Sequence, residues 1–255
     1  MTETPTPQLE LLFSFFERLD RKAPGSREST CKALSLVTGM STQPHVVDLG
    51  CGSGASTLVL AEVLGHGSNL TAVDIHQAFL DDLDSRAARL GLSTRITTLR
   101  ADMSDLPLAD GQFDLVWSEG AIYLLGFAEG LRRWRRLLRP GGHIAISEVA
   151  WLAANQPPAA QAFWHREYPA ITSIDRNLDL LREAGFCPVG HFTLPAKDWF
   201  ENYVKPVEME LPRFRSEYIG DSAAEAVADE LQAEVELWRE CGDSYGYVFF
   251  VAKVD

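Results

Sequence analysis

The sequence predicts an α/β fold in which a parallel sheet carries helices on both faces, and three observations predict it. Short apolar runs alternate with helically periodic stretches from Val46 onward, the pattern of strand–helix–strand crossovers. The first run, Val46-Val47-Asp48-Leu49, ends in Gly50-Cys51-Gly52-Ser53-Gly54 and feeds straight into a helix. The second, Asn69-Leu70-Thr71-Ala72-Val73, ends in an acid, Asp74, about twenty residues past the last loop glycine, a spacing that suits a ribose-binding carboxylate.

Two helices precede this core. Leu9, Leu12, Phe13, Phe16 and Leu19 form a helical stripe, and a second helix is expected after Ser26, its cap, through Val37. Strands are expected near 46–49, 69–74, 95–99, 113–117 and 143–149, and helices near 55–64, 77–90 and 127–138. Gly65 and Gly91 terminate the first two of these helices. The stretch 151–170 is rich in aromatics and prolines and is assigned no element. A helix near 178–184 and a strand near 189–194 follow. Ala226, Leu231, Val235 and Trp238 give 222–241 helical spacing, and 247–251 reads as the last strand.

The glycine loop and Asp74 together imply a nucleoside cofactor, although an exposed turn would also explain an acid at Asp74. Dinucleotide loops favour Gly-x-Gly-x-x-Gly, whereas this loop reads Gly-x-Gly-x-Gly with Asp48 ahead of it. A carboxylate there repels a pyrophosphate but attracts an ammonium, directly or through water. S-adenosylmethionine carries an ammonium and no phosphate, so it suits the loop better than NAD.

Asp-Leu-Gly-Cys-Gly-Ser-Gly resembles the signature loop of class I S-adenosylmethionine-dependent methyltransferases, and further landmarks of that family follow in order. Asp74 matches the acid that holds the ribose hydroxyls, with Ile75 beside it. Ala101-Asp102-Met103 resembles the pair flanking the adenine. Phe113 to Ser118 resembles the fourth strand, and Leu138 to Ile144 the turn into the fifth. Ala23-Pro24-Gly25-Ser26, the run Trp117 to Tyr123, and Tyr245 to Phe250 are similar to a methyltransferase type 11-like group of small bacterial enzymes. The resemblance implies a Rossmann-like seven-stranded sheet, with the last strand antiparallel between the fifth and sixth. It implies cofactor contacts from Asp48, Gly50, Cys51, Gly52, Gly54, Asp74, Ile75, Asp102, Met103, Ser118 and Glu119. Cys51 is read as a packing residue, not a nucleophile.

The chain is read as one domain, 1–255. Within it, 9–39 form a helical cover, 40–195 the cofactor core, 196–243 a helical insertion serving as lid or dimer surface, and 244–255 the final strand. A formal charge of −13 argues against a nucleic-acid partner, since phosphate binding needs a basic stripe. The cluster Arg132, Arg133, Arg135, Arg136 and Arg139 interleaves with Leu131, Trp134, Leu137 and Leu138, as on a solvated amphipathic helix. The four cysteines and six histidines are scattered, so neither a metal nor a disulfide framework is expected, and a reducing cytoplasm fits. Met1 to Gln8 lacks a leader's basic-then-apolar pattern, and no membrane association is expected.

Methyl transfer from a sulfonium is an in-line displacement, and its main demand is alignment of nucleophile and methyl about 3 to 3.5 Å apart. A base is needed only when the nucleophile must lose a proton. Glu119 is a candidate to position the cofactor, orient the acceptor or act as base, or to cap a short helix. Tyr123 is a candidate to project from the same turn, or to be a core aromatic. His165 is a candidate base. It lies with Trp151, Trp164, Tyr168 and Trp199 in segments expected to border the cleft, either as a wall for a cationic acceptor or as ordinary packing. The expectation is methyl transfer to a small-molecule O, N or C nucleophile by a monomer or homodimer. The alternatives are a protein that binds S-adenosylmethionine without transferring its methyl, and an NAD(P)-dependent oxidoreductase.

Overall fold

The computed structural model describes residues 6–255; most of the Met1 to Gln8 stretch therefore lies outside the described residues. The first crossover is built as its residues dictate. β1 (His45–Leu49) leads through the glycine loop into α3 (Ala55–Leu64), preceded by the cover helices α1 (Pro7–Phe16) and α2 (Arg27–Ser35). Pro7 starts α1, where a missing N–H costs nothing. The Ser26 hydroxyl caps α2 by accepting from the Ser29 N–H at 3.1 Å. Then come β2 (Asn69–Asp74), α4 (Gln77–Arg89), β3 (Ile96–Arg100), β4 (Phe113–Glu119) and α5 (Phe127–Trp134). Next are β5 (Leu138–Trp151), α6 (Pro158–Glu167), β6 (Thr172–Ser173), α7 (Ile174–Glu183) and β7 (Cys187–Thr193). The insertion holds α8 (Ala196–Trp199), a π turn (Phe200–Val204), α9 (Lys205–Glu217) and α10 (Ser222–Cys241), and β8 (Tyr245–Lys253) closes the sheet.

The sheet order is β3-β2-β1-β4-β5-β8-β7, with β6 a short parallel extension beside β5. β1 to β5 are parallel, and β8 is antiparallel to both β5 and β7. Period-two alternation divides the core into two layers. Leu49, Val116, Ile144 and Phe250 pack under α5 and α7. Val46, Leu115, Trp117 and Phe249 face the opposite layer of α2, α3 and the insertion. Because strands buried on both faces need apolar side chains throughout, β4 and most of β5 and β8 are buried along their length.

Several boundaries differ from expectation, each for a local reason. The helix expected over 127–138 ends at Trp134 in a 3-10 turn, Arg135–Leu137, and β5 begins at once at Leu138. β5 starts early because Leu138 pairs with Phe113 before an irregularity in the ladder. α7 starts at Ile174, not 178, because the Ser173 side chain accepts from the Arg176 N–H and caps it. Between 151 and 170, Pro158 opens α6 in place of irregular chain. α9 tolerates Pro206 in its first turn and Pro212 inside.

Candidate functional site

The strand order reverses at β1, with β2 on one side and β4 on the other. A crevice forms beyond the carboxyl ends of strands at such a switch point. A cavity of about 460 Å³ lies there. Gly50, Cys51 and Gly52 form its floor, Asp74 and Ile75 the end of β2, and Asp102 and Met103 the turn after β3. Glu119, Gly120 and Tyr123 line it beyond β4. Leu9, Leu12, Phe13 and Phe16 of α1 roof it, and Arg21 and Lys22 close one side.

The loop owes its shape to its glycines. Gly50 (φ +71°) and Gly54 (φ +81°) are left-handed, a region costly for any side chain. A Cβ on Gly50 would stand 2.3 Å from Ala121, and one on Gly54 would stand 2.2 Å from Leu83. The chain itself fills both places. Gly54 is thus the N-cap of α3 packed on α4, and it is not among the cavity walls.

The loop amides are committed internally. The Gly50 and Cys51 N–H groups donate to the Val73 carbonyl at 2.9 and 3.0 Å, and Gly54 N–H donates to Cys51 O. The Gly52 N–H donates to the Asp74 carboxylate at 2.9 Å. A diphosphate would need these amides free. The Asp74 carboxylate also accepts from His76 N–H, and burial holds its carboxyl above the ordinary range. Burial likewise keeps the Cys51 thiol protonated, so this wall residue is no nucleophile.

Asp48 does not reach the cavity wall, which corrects a direct contact with a ligand ammonium. It sits fully buried under the loop, where one oxygen accepts from the Ser56 and Thr57 hydroxyls at 2.8 and 2.6 Å. Burial pushes its carboxyl up to about 7. Its other oxygen has no partner in the chain, which leaves only the water-mediated route. Ser118 is also withdrawn from the wall: its hydroxyl donates to Leu49 O at 2.8 Å and stitches β1 to β4.

Glu119 is the most heavily engaged wall residue. One oxygen accepts from Thr30 at 2.6 Å and from the Trp117 indole at 3.1 Å, and the other pairs with Arg21 at 3.1 Å. The cover helices are therefore docked onto the end of β4 by an ion pair with both members largely buried. A carboxylate with both oxygens occupied serves as a fixed acceptor rather than as a proton carrier. Arg21 and Lys22 are the site residues that the sequence reading missed, and they are the cationic side chains on this wall. Lys22 lies over the Phe79 ring at 4.8 Å, and burial lowers its ammonium to about 8. Their adjacency to Ala23-Pro24-Gly25-Ser26 was the available signal.

His165 is not brought to this site. It lines a shallow depression with Trp151, Gln161 and Ile171, which shares no wall residue with the cavity. Trp164 and Trp199 pack edge-on against Tyr245 at 5.2 and 5.5 Å. Among the described residues, no group of histidine, cysteine and acidic side chains is placed to hold a metal, and no helix is long and apolar enough to cross a membrane.

The sheet order and the crevice at its switch point match the Rossmann-like methyltransferase fold, and residues 46–142 match the family model described as methyltransferase domain. Among named relatives, the chain is 28% identical over 149 residues to the O-methyltransferase resE of Aspergillus sclerotiorum, covering 57% of this chain and 56% of that one. It is 26% identical over 251 residues to the 27-O-demethylrifamycin SV methyltransferase of Amycolatopsis mediterranei, covering 92% and 87%. The chain thus spans about half the length of some curated relatives and most of others. A solved methyltransferase of Geobacter sulfurreducens, in complex with S-adenosyl-L-homocysteine, superposes over 100% of both chains with a TM-score of 0.81 at 21% identity.

Proposed function

We propose that this protein transfers a methyl group from S-adenosylmethionine to an oxygen, nitrogen or carbon nucleophile of a small molecule. The observation that carries the reading is the glycine loop. Its amides are spent on Val73 and on Asp74, which disfavours a diphosphate and leaves a wall of three acids, Asp74, Asp102 and Glu119, with two cations, Arg21 and Lys22. That set suits a ligand bearing a ribose, an ammonium, a sulfonium and one carboxylate.

When bound, S-adenosylmethionine supplies an electrophilic methyl on a positive sulfur. Asp74 accepts from the ribose hydroxyls, and Ile75, Asp102 and Met103 enclose the adenine. Arg21 and Lys22 hold the carboxylate, while Glu119 and the Gly50 backbone face the amino-acid end. Asp48 acts through water, and Gly54 and Ser118 keep the loop in shape. Tyr123 orients the acceptor, and the α1 roof of Leu12, Phe13 and Phe16 excludes water. Alignment supplies most of the rate; no role falls to His165. The insertion, with Met209 and Ile219 exposed, is the surface for a homodimer, which light scattering would detect. A cytoplasmic setting without a nucleic-acid partner accords with the scattered thiols and the acidic balance.

Calorimetry with S-adenosylhomocysteine and with NADH tests the cofactor. The first is expected to bind and the second not; the reverse would overturn the reading. Release of S-adenosylhomocysteine in the presence of a metabolite extract then tests transfer against binding alone.

A further inference from the structure

The cavity follows the strand ends, so the sheet order separates its two halves. Ile75, Asp102 and Met103 line it at the ends of β2 and β3, the adenosine half. Gly120 and Tyr123 line it beyond β4, on the other side of β1. The roof helix divides in the same way. Phe13 stacks on His76, beside Asp74 and Ile75, at 4.3 Å and closes the adenosine half. Phe16 stacks on Tyr203 at 6.3 Å, and the Tyr203 phenol lies close enough to those of Tyr123 and Tyr247 to feel their charge. A Cβ on Gly120 would stand 3.7 Å from the Tyr247 hydroxyl. Phe16 therefore covers the β4 half, together with Leu12 one turn before it on the same helix face.

Among the described residues, the charged side chains on the cavity wall are Arg21, Lys22, Asp74, Asp102 and Glu119, and all are already engaged. Glu119 has both oxygens occupied and is paired with Arg21. The Lys22 ammonium donates to the Leu19 carbonyl and lies over Phe79. Asp74 accepts from the Gly52 and His76 N–H groups, and Asp102 accepts from the Ser104 N–H. The β4 half is left with one unused polar atom, the Tyr123 hydroxyl, which has no hydrogen-bond partner among the described residues. Burial pushes this phenol up to about 12, so it remains a neutral donor. Leu9, Ile75 and Leu124 line the cavity and yet are 39%, 46% and 65% exposed, which sets them at its opening. Large apolar side chains grouped at an opening mark a place of ligand entry.

We infer that the methyl acceptor is an uncharged, largely apolar molecule, whose body lies against Leu12, Phe16 and Leu124 and whose one polar group accepts from the Tyr123 hydroxyl. The inference rests on the methyl-transfer reading and deepens it by naming the acceptor's chemical class. An ionic acceptor would give up its water on a wall that offers no free counter-ion, which is costly for either sign of charge. An apolar one gains by leaving water, and a single hydrogen bond to Tyr123 fixes which of its atoms faces the methyl.

The test uses the full chain saturated with S-adenosylhomocysteine and three two-ring probes of similar size, titrated by calorimetry at neutral pH. They are 2-naphthol, which is uncharged there, 2-naphthoate, an anion, and 2-naphthylmethylamine, a cation. The neutral probe is expected to bind at least about tenfold tighter than either ion. Tyr123→Phe removes only the hydroxyl and is expected to weaken 2-naphthol about fivefold. Leu124→Glu sets a carboxylate at the exposed opening, where folding is not at stake, and is expected to tighten the cation about threefold while the anion weakens. An ion that binds as tightly as 2-naphthol, binding of none of the three, or affinities unmoved in both variants would overturn the inference. S-adenosylhomocysteine is titrated first and alone. Its failure to bind sinks the methyl-transfer reading and the acceptor class with it, whereas an ionic preference on the saturated chain sinks the acceptor class only.

Discussion

The two sides of the cavity are made differently. The floor, from Gly50 to Asp74 and Asp102, is built from strand ends and tight turns whose backbone geometry only a few residue types satisfy. The roof and one side come from α1, Arg21 and Lys22, where side chains from segments distant in sequence meet the strand ends through packing. Under the proposed function, the first kind of wall would hold a cofactor common to many proteins, and the second an acceptor that differs between them. Function on a shared scaffold is set where sequence constraint is weakest.

The sharpest way to break this contrast is to cut the joint between the two walls. Arg21→Ala strands the Glu119 charge against Thr30 and Trp117 and is expected to cost roughly 3 kcal/mol of stability, read by denaturant unfolding. On the floor, Gly54→Ala must force a Cβ into Leu83 at a left-handed residue. It is expected to cost about 2 kcal/mol and to weaken S-adenosylhomocysteine binding through the loop. Asp74→Ala is expected to weaken that ligand by about 2 kcal/mol, roughly thirtyfold, and to cost the unliganded chain about 1 kcal/mol by leaving the Gly52 N–H without its acceptor. If Asp74→Ala left affinity unchanged, the floor would not be the cofactor wall.

A gentler probe is acidity. Asp48 under the floor titrates near 7, and burial holds Glu148 of β5 and Glu234 of α10 near 8 and 7. These values lie above the 3.8 and 4.5 of free aspartate and glutamate carboxyls. Each group holds its proton more tightly folded than unfolded. Its contribution is therefore complete below the free value and lost as pH climbs through the folded one. The ligand-free chain is expected to melt lower at about pH 8.5 than at about pH 5.5, by a few degrees, and Glu234→Gln is expected to flatten that slope. The smallest effect belongs to His165→Ala, outside both walls, expected within about 0.5 kcal/mol of the parent and equally active.

How far the sequence could be read follows the same division. α3, β2 and α10 fall at the expected ends because glycines, the Asp221 cap and apolar periodicity mark them. α6 and α9 were hidden because Pro158, Pro206 and Pro212 read as breakers, whereas two of them start helices. The loop glycines and Asp74 were legible as a site. Arg21 and Lys22 were marked only by their place before Ala23-Pro24-Gly25-Ser26, since a charged pair does not itself say that it will fold back onto a strand end about a hundred residues away. Asp48 was legible only as a carboxylate acting directly or through water, because sequence order cannot tell which face of a strand a turn uncovers.

The helical insertion leaves the sheet after β7 and returns to it as β8, and those strands are neighbours: Thr193 pairs with Val248, and Leu194 N–H donates to Tyr247 O at 2.9 Å. A segment whose two ends are already side by side can be lengthened, shortened or exchanged without rethreading anything else. The insertion is therefore a cassette, free to change while the strand-end floor stays as it is.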